Sequence, residues 1–199
     1  MSAELTLADI VDLRAYERER EALRTRIIEL KRVRRVPVGP IVAVVFENRE
    51  TIRFQVQEMV RAERMLTDAA VQAELDTYNP LIPRPGQLSA TLFLELTTQA
   101  ELEEWLPKLV GIEASVELRV GEGSGATVVR CRVDEAHAAQ LTREEVTASV
   151  HYVGFDVPGE VVGAWLDEPV VLAVEHPSYA HTTRLSAETK QSLLSDLRP

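Results

Sequence analysis

Residues 78–86 read Tyr78-Asn79-Pro80-Leu81-Ile82-Pro83-Arg84-Pro85-Gly86, three prolines and a glycine in one short run. Proline fixes its own backbone angle, lacks an amide donor and restricts the residue before it, so neither a helix nor an interior strand crosses this stretch. The run divides the chain into a helix-rich segment with one strand, residues 1–86, and an α+β segment, residues 87–199. The two are expected to pack as one compact domain, because 199 residues at 45% apolar composition supply a core without a disulfide or metal.

Before the connector the apolar spacing is helical. Thr6, with Asp9 in capping-box position, opens a short helix through Leu13, and a longer one follows from Ala15 to Arg34, with Tyr16, Leu23, Ile27 and Leu30 as its inner stripe. Val36-Pro37-Val38-Gly39-Pro40 stops it, and Ile41 to Phe46 reads as a buried strand. Asn48 caps a helix expected to run unbroken from Arg49 to Leu75.

After the connector the period changes to two. Leu88, Ala90, Leu92 and Leu94 alternate with Ser89, Thr91 and Phe93, which predicts a half-buried strand. A helix over Gln99–Leu109, a hairpin of Ser115–Val120 with Thr127–Val133, a short helix over Glu135–Gln140 and a strand over Val146–Phe155 follow. The order β-α-β-β-α-β is that of a ferredoxin-like unit. A helix started by Pro158, a strand over Val170–Val174 and a last helix over Ala187–Leu197 complete the reading. The class is α+β, with an N-terminal helical segment packed on a mostly antiparallel sheet.

The net charge of −10 disfavours a general nucleic-acid binder, since a phosphate backbone is repelled. No apolar run is long enough to span a bilayer, and the start of the chain lacks the cationic and apolar regions of a secretory signal. Cys131 has no partner for an internal disulfide and suits a reducing compartment. The expectation is a cytoplasmic protein without membrane insertion.

Several stretches carry candidate chemistry. Glu50, Arg53, Gln57, Arg61 and Arg64 fall along one helix face, with Arg49 just before them and Tyr78-Asn79 at the connector. Guanidinium and amide groups at this spacing suit a bidentate grip on a phosphate, a carboxylate or an acidic partner; the alternative is a solvated, salt-bridged face. His151, His176 and Tyr179 are the candidates for proton chemistry, against structural roles for all three. His137 reads as solvent-facing. Gly121-Glu122-Gly123-Ser124-Gly125 precedes a strand instead of a helix, which makes it a hairpin turn and not a phosphate loop. Glu117, Arg119, Arg130 and Arg132 suit cross-strand charge pairing, and Cys131 faces inward as packing. No established metal-ligand spacing and no nucleophile motif is present, so the sequence implies no metal and no cofactor and leans away from an enzyme.

The runs Lys31–Pro40, Phe46–Thr51, Gln55–Arg64 and Glu74–Pro83, with Val150-His151-Tyr152 and His176–Tyr179, resemble an uncharacterised bacterial family of about this length, a domain of unknown function. That resemblance implies a genomic setting beside rubrerythrin-like proteins and iron–sulfur proteins of the heterodisulfide-reductase type. Since the chain has one cysteine, it cannot itself hold a four-cysteine cluster. Two functional readings follow. One is a non-catalytic accessory protein that docks on a rubrerythrin-like or iron–sulfur partner of a redox or peroxide-response system. The other is an enzyme or binding protein for an anionic small molecule, in which the arginine face and the histidines share a cleft.

Overall fold

The computed structural model describes residues 4–133 and 146–198. The helix expected over 135–140, and His137 with it, lie outside the described residues.

Asp12, not Ala15, begins the first long helix, because its carboxylate accepts from the amides of Arg14 and Ala15. Helix α1 spans Leu13–Arg34. The chain then forms a hairpin of β1 (Arg35–Val38), where a stop was expected, and β2 (Val42–Glu47), the strand expected over Ile41–Phe46. Pro37 is compatible with β1 because that strand lies at a sheet edge. Gly39 makes the turn with a φ of 74°.

Helix α2 covers Arg49–Ala62 and α3 covers Asp68–Tyr78, so the expected single helix is two. Arg64 adopts a left-handed conformation, with a φ of 52°. Met65 N–H bonds back to the carbonyl of Val60 and Arg64 N–H to that of Arg61, the paired bonds of a Schellman stop. Thr67 then caps α3 by accepting from Ala70 N–H.

The remaining elements are β3 (Gln87–Leu94), α4 (Gln99–Trp105), β4 (Val116–Val120), β5 (Thr127–Arg130), β6 (Arg132–Val133) and β7 (Val150–Asp156). They are followed by α5 (Gly159–Ala164), β8 (Val170–His176), β9 (Tyr179–Arg184) and α6 (Ala187–Leu197), the last at its expected residues. The class is α+β. The ferredoxin-like order, however, gives way to two antiparallel sheets, β1-β2-β3-β7-β6 and β5-β4-β8-β9. The expected hairpin arm over Thr127–Val133 breaks at Cys131 and changes sheet, so β4 and β5 leave the sheet that β3 and β7 share.

The sheets close one core. Val42, Val44 and Phe46 of β2, Leu88, Ala90 and Leu92 of β3, and Val153 and Phe155 of β7 meet Leu118, Leu172 and Val174 of the second sheet. Trp165 and the inner side of α6, with Leu193, Leu194 and Leu197, complete it. The opposite face of the first sheet is covered by helices. Ile52, Val56 and Val60 of α2 join Leu75, Leu81 and Leu5 in a second apolar cluster, with Tyr152 packed against it. Pairing of β2 with β3 joins the residues before the connector to those after it in one sheet.

Candidate ligand-binding site

The arginine and amide face of α2 grips the protein's own N-terminal segment. Gln57 is buried; its Oε1 accepts from Val11 N–H at 3.1 Å and its Nε2 donates to the Val11 carbonyl at 3.0 Å. Asn79 repeats the pattern on Leu5, at 2.8 and 2.9 Å. Arg49 donates to the Asp9 carboxylate at 2.7 Å and Arg53 to the Asp9 carbonyl at 2.9 Å. The guanidinium of Arg49 and hydrogen bonds from Thr6 hold the Asp9 carboxyl below its usual range. The donors read as ligand groups thus serve this segment, because residues 5–11 lack a sheet neighbour and need side chains to satisfy their backbone.

Arg61 belongs to a second internal node. Glu58 accepts both Arg20 Nε and Nη2 at 2.8 Å, Tyr16 Oη at 2.7 Å and Arg61 Nε at 3.2 Å. The Arg20 hydrogen bonds outweigh burial and lower the Glu58 pKa to about 2, while burial and the same carboxylate push the Tyr16 phenol up. Arg64 is the exposed residue that ends α2.

The proton-chemistry candidates are structural in their contacts. His151 is buried on the core side of β7; its Nε2 donates to the Ala148 carbonyl at 2.9 Å, beside Thr147 Oγ1, and Nδ1 lies 3.8 Å from Glu113. Burial lowers its pKa, against the opposing charge of Glu113. His176 accepts Ser178 N–H at Nδ1 and donates from Nε2 to the Val110 carbonyl. Tyr179 donates to the Val38 carbonyl at 2.6 Å and accepts from Ile41 N–H, closing the β1–β2 turn from below. These three residues and the arginine face line no common cavity among the described residues.

Tyr78 leads elsewhere. The pairings Val45↔Thr91, Ala43↔Phe93, Thr91↔Tyr152 and Phe93↔Val150 put these residues on the helix-covered face, and Glu47 continues that face at the end of β2. Helices α1, α2 and α3 bring Lys31, Gln55 and Tyr78 over it. Together they line a cavity of about 230 Å³, open to solvent, with Ile52 and Leu81 among its apolar walls. In its wall, Glu47 is 6% exposed at its side chain; Oε1 accepts the Thr91 hydroxyl at 2.8 Å, and Oε2, itself closed to solvent, accepts no hydrogen bond. Lys31 Nζ stands 3.7 Å from Oε2, an ionic contact beyond hydrogen-bond length. Burial, then the charges of Tyr78 and Glu47, raise the Tyr152 phenol. The arrangement is a carboxylate acceptor and an ammonium donor side by side, above apolar and aromatic walls.

The description of a protein family of unknown function, DUF3501, matches residues 4–197. The chain belongs to the DUF3501 family. No curated protein matches it. It is similar to a crystal structure of a novel protein of unknown function from Burkholderia pseudomallei, at 32% identity over 97% of this chain and 98% of that one, with a TM-score of 0.87.

In this DUF3501 protein the cavity carboxylate is held from behind. Arg34 is fully buried; its Nε donates to the Phe46 carbonyl at 2.8 Å and Nη2 to the Glu47 carbonyl at 3.2 Å. The same guanidinium pairs with Asp196 of α6 and donates to Ser192 Oγ. Sequence reasoning singled out Tyr78 but not Glu47, Lys31, Thr91 or Tyr152. The available signal was a carboxylate ending an otherwise apolar strand, together with polar residues on the outward half of β3.

Proposed function

We propose that the protein binds a small molecule in the cavity between the first sheet and helices α1–α3, with Glu47 as the group that recognises it. One observation carries this reading: Glu47, a carboxylate nine-tenths buried, stands in the wall of that cavity beside Lys31, and its Oε2, itself closed to solvent, accepts no hydrogen bond. Leaving a buried acceptor unmade costs about 1–3 kcal/mol, so this carboxylate keeps acceptor capacity that its protein neighbours do not use. An anionic ligand held by Arg49, Arg53 and Gln57 fits less well, since those groups bond to Asp9 and Val11. The setting this reading assumes is a reducing cytoplasm, which the lone cysteine suits, and a bacterial one, which the family resemblance implies.

The test is a thermal-shift screen of small metabolites of mixed charge against the wild-type protein and Glu47→Gln. The substitution keeps an acceptor for Thr91 and removes the charge. At least one compound is expected to raise Tm in the wild type and not in the variant, since binding to the native state stabilises it. A screen in which every stabilising compound acts equally on both proteins rejects the reading.

A second reading, docking on a rubrerythrin-like or iron–sulfur redox partner as an accessory protein, draws on the resemblance. One observation favours it: α1, with 22 residues, buries only Tyr16, Ile27 and Arg34 and leaves Arg14, Arg18 and Arg24 exposed. Co-purification with such partners that weakens as salt is raised supports it, and no co-purification at low salt rejects it.

A further inference from the structure

We propose that the ligand is a flat, neutral molecule whose edge carries a hydrogen-bond donor beside an acceptor, the edge of a carboxamide, a lactam or a nucleobase. This deepens the reading of the cavity as a binding site and rests on it.

The charges argue first. Glu47 offers acceptors only and Lys31 donors only, and the two stand 3.7 Å apart without a hydrogen bond between them. Their charges cancel. A cationic ligand would compete with Lys31 for the carboxylate, and an anionic one would confront a carboxylate with almost no solvent to screen it. A neutral molecule that donates to the Glu47 carboxylate and accepts from Nζ leaves the ion pair compensated.

Shape argues second. The volume of about 230 Å³ lies below the range of about 300–1,000 Å³ that drug-sized ligands occupy, so the occupant is of single-ring size. Tyr78, Phe93 and Tyr152 line the space, and aromatic walls favour a planar guest that stacks or packs edge-to-face. Gln55, also on the lining, adds an amide able to donate and accept. A carboxylate within aromatic walls would by itself suit an organic cation. Lys31, already holding the position of that cation, turns the preference to neutral molecules.

The experiment uses the full chain and measures binding by calorimetry for three ring compounds with different heads: benzamide, benzylammonium and benzoate. Uracil and 2-pyridone extend the neutral set. At least one neutral compound is expected to bind at least tenfold more tightly than both charged ones. Glu47→Gln and Lys31→Met are each expected to weaken that binding at least tenfold. Lys31 is about a third exposed, so its substitution tests the idea even if Glu47→Gln folds poorly. Tighter binding of benzylammonium or benzoate, lost in Glu47→Gln, overturns the neutral class and leaves the cavity reading standing. Failure of every neutral compound overturns the class too; if the metabolite screen also finds no Glu47-dependent ligand, the cavity reading falls with it.

Discussion

Gln57 holds Val11 as a neighbouring strand would, exchanging one hydrogen bond in each direction with its backbone. A buried side-chain amide so placed substitutes for a sheet partner, and it explains how residues 5–11 stay docked on α2 and α3 without belonging to a sheet. Replacement by leucine fills similar space but leaves the Val11 amide and carbonyl unpaired. Gln57→Leu is expected to cost about 1–3 kcal/mol in urea unfolding and to speed amide exchange at Val11.

The β1–β2 turn depends on Gly39 for two reasons that can be separated. Its φ of 74° disfavours any side chain, and an added Cβ would stand 2.4 Å from Tyr179 Oη and 2.5 Å from His181 Cγ. Gly39→Ala is expected to lower stability by about 1–3 kcal/mol through backbone strain alone, and by more through the clash. Tyr179→Phe removes the crowding oxygen as well as the bonds to Val38 and Ile41. The double variant is therefore expected to lose less than the sum of the two single losses in chemical denaturation.

Acidification acts on a buried histidine and on carboxylates held by hydrogen bonds, Glu58 and Asp9 among them. Burial lowers the pKa of His151, so the unfolded chain takes up a proton that the folded one resists. Its contribution is complete above the ordinary histidine value of about 6.5 and declines as pH falls below it. Glu58 is lowered to about 2 by Arg20, so its contribution is present above the ordinary carboxylate range and is lost as pH falls toward 2. Tm measured from about pH 8 to about pH 3 is expected to fall in two stages. His151→Gln removes the first stage, and Glu58→Gln flattens the second.

Residues on either side of the proline-rich connector are expected to unfold together. Strand β2 lies before it and β3 after it, and they pair from Val42↔Leu94 to Glu47↔Ser89. Gly86 N–H also bonds to the Leu197 carbonyl at the far end of the chain. Circular dichroism and tryptophan fluorescence should report coincident denaturation curves, with Trp105 and Trp165 after the connector and α1–α3 before it. Separate midpoints would show two units.

The sequence exposes local chemistry better than it exposes registration. Asn48 before α2 accepts an amide hydrogen bond that residue type and position announce, and in the structure Thr98 before α4 and Ser186 before α6 do the same. The break after Ala62 was hidden because an arginine, not a glycine, takes the left-handed position at 64. The passage between sheets at Cys131 leaves no compositional mark, since Val129 and Val133 continue the alternation across it. The arginine run was legible as a gripping surface, but its object, residues 5–11, lies in a distant part of the chain. Tyr78 was singled out for its place in the connector. Its meeting with Glu47 and Tyr152 depends on how β2, β3 and β7 align, and strand order and register are set by packing across the whole sheet.

Only Cys131 separates β5, paired in one sheet, from β6, paired in the other, and its amide bonds to the Val116 carbonyl at the start of β4. A single peptide unit has no slack to give. It ties the two layers at that corner like a short strut. Since β6 pairs with β7 at Val153 and Gly154, next to Tyr152 in the cavity wall, a guest that displaced β7 would pull on the opposite layer as well.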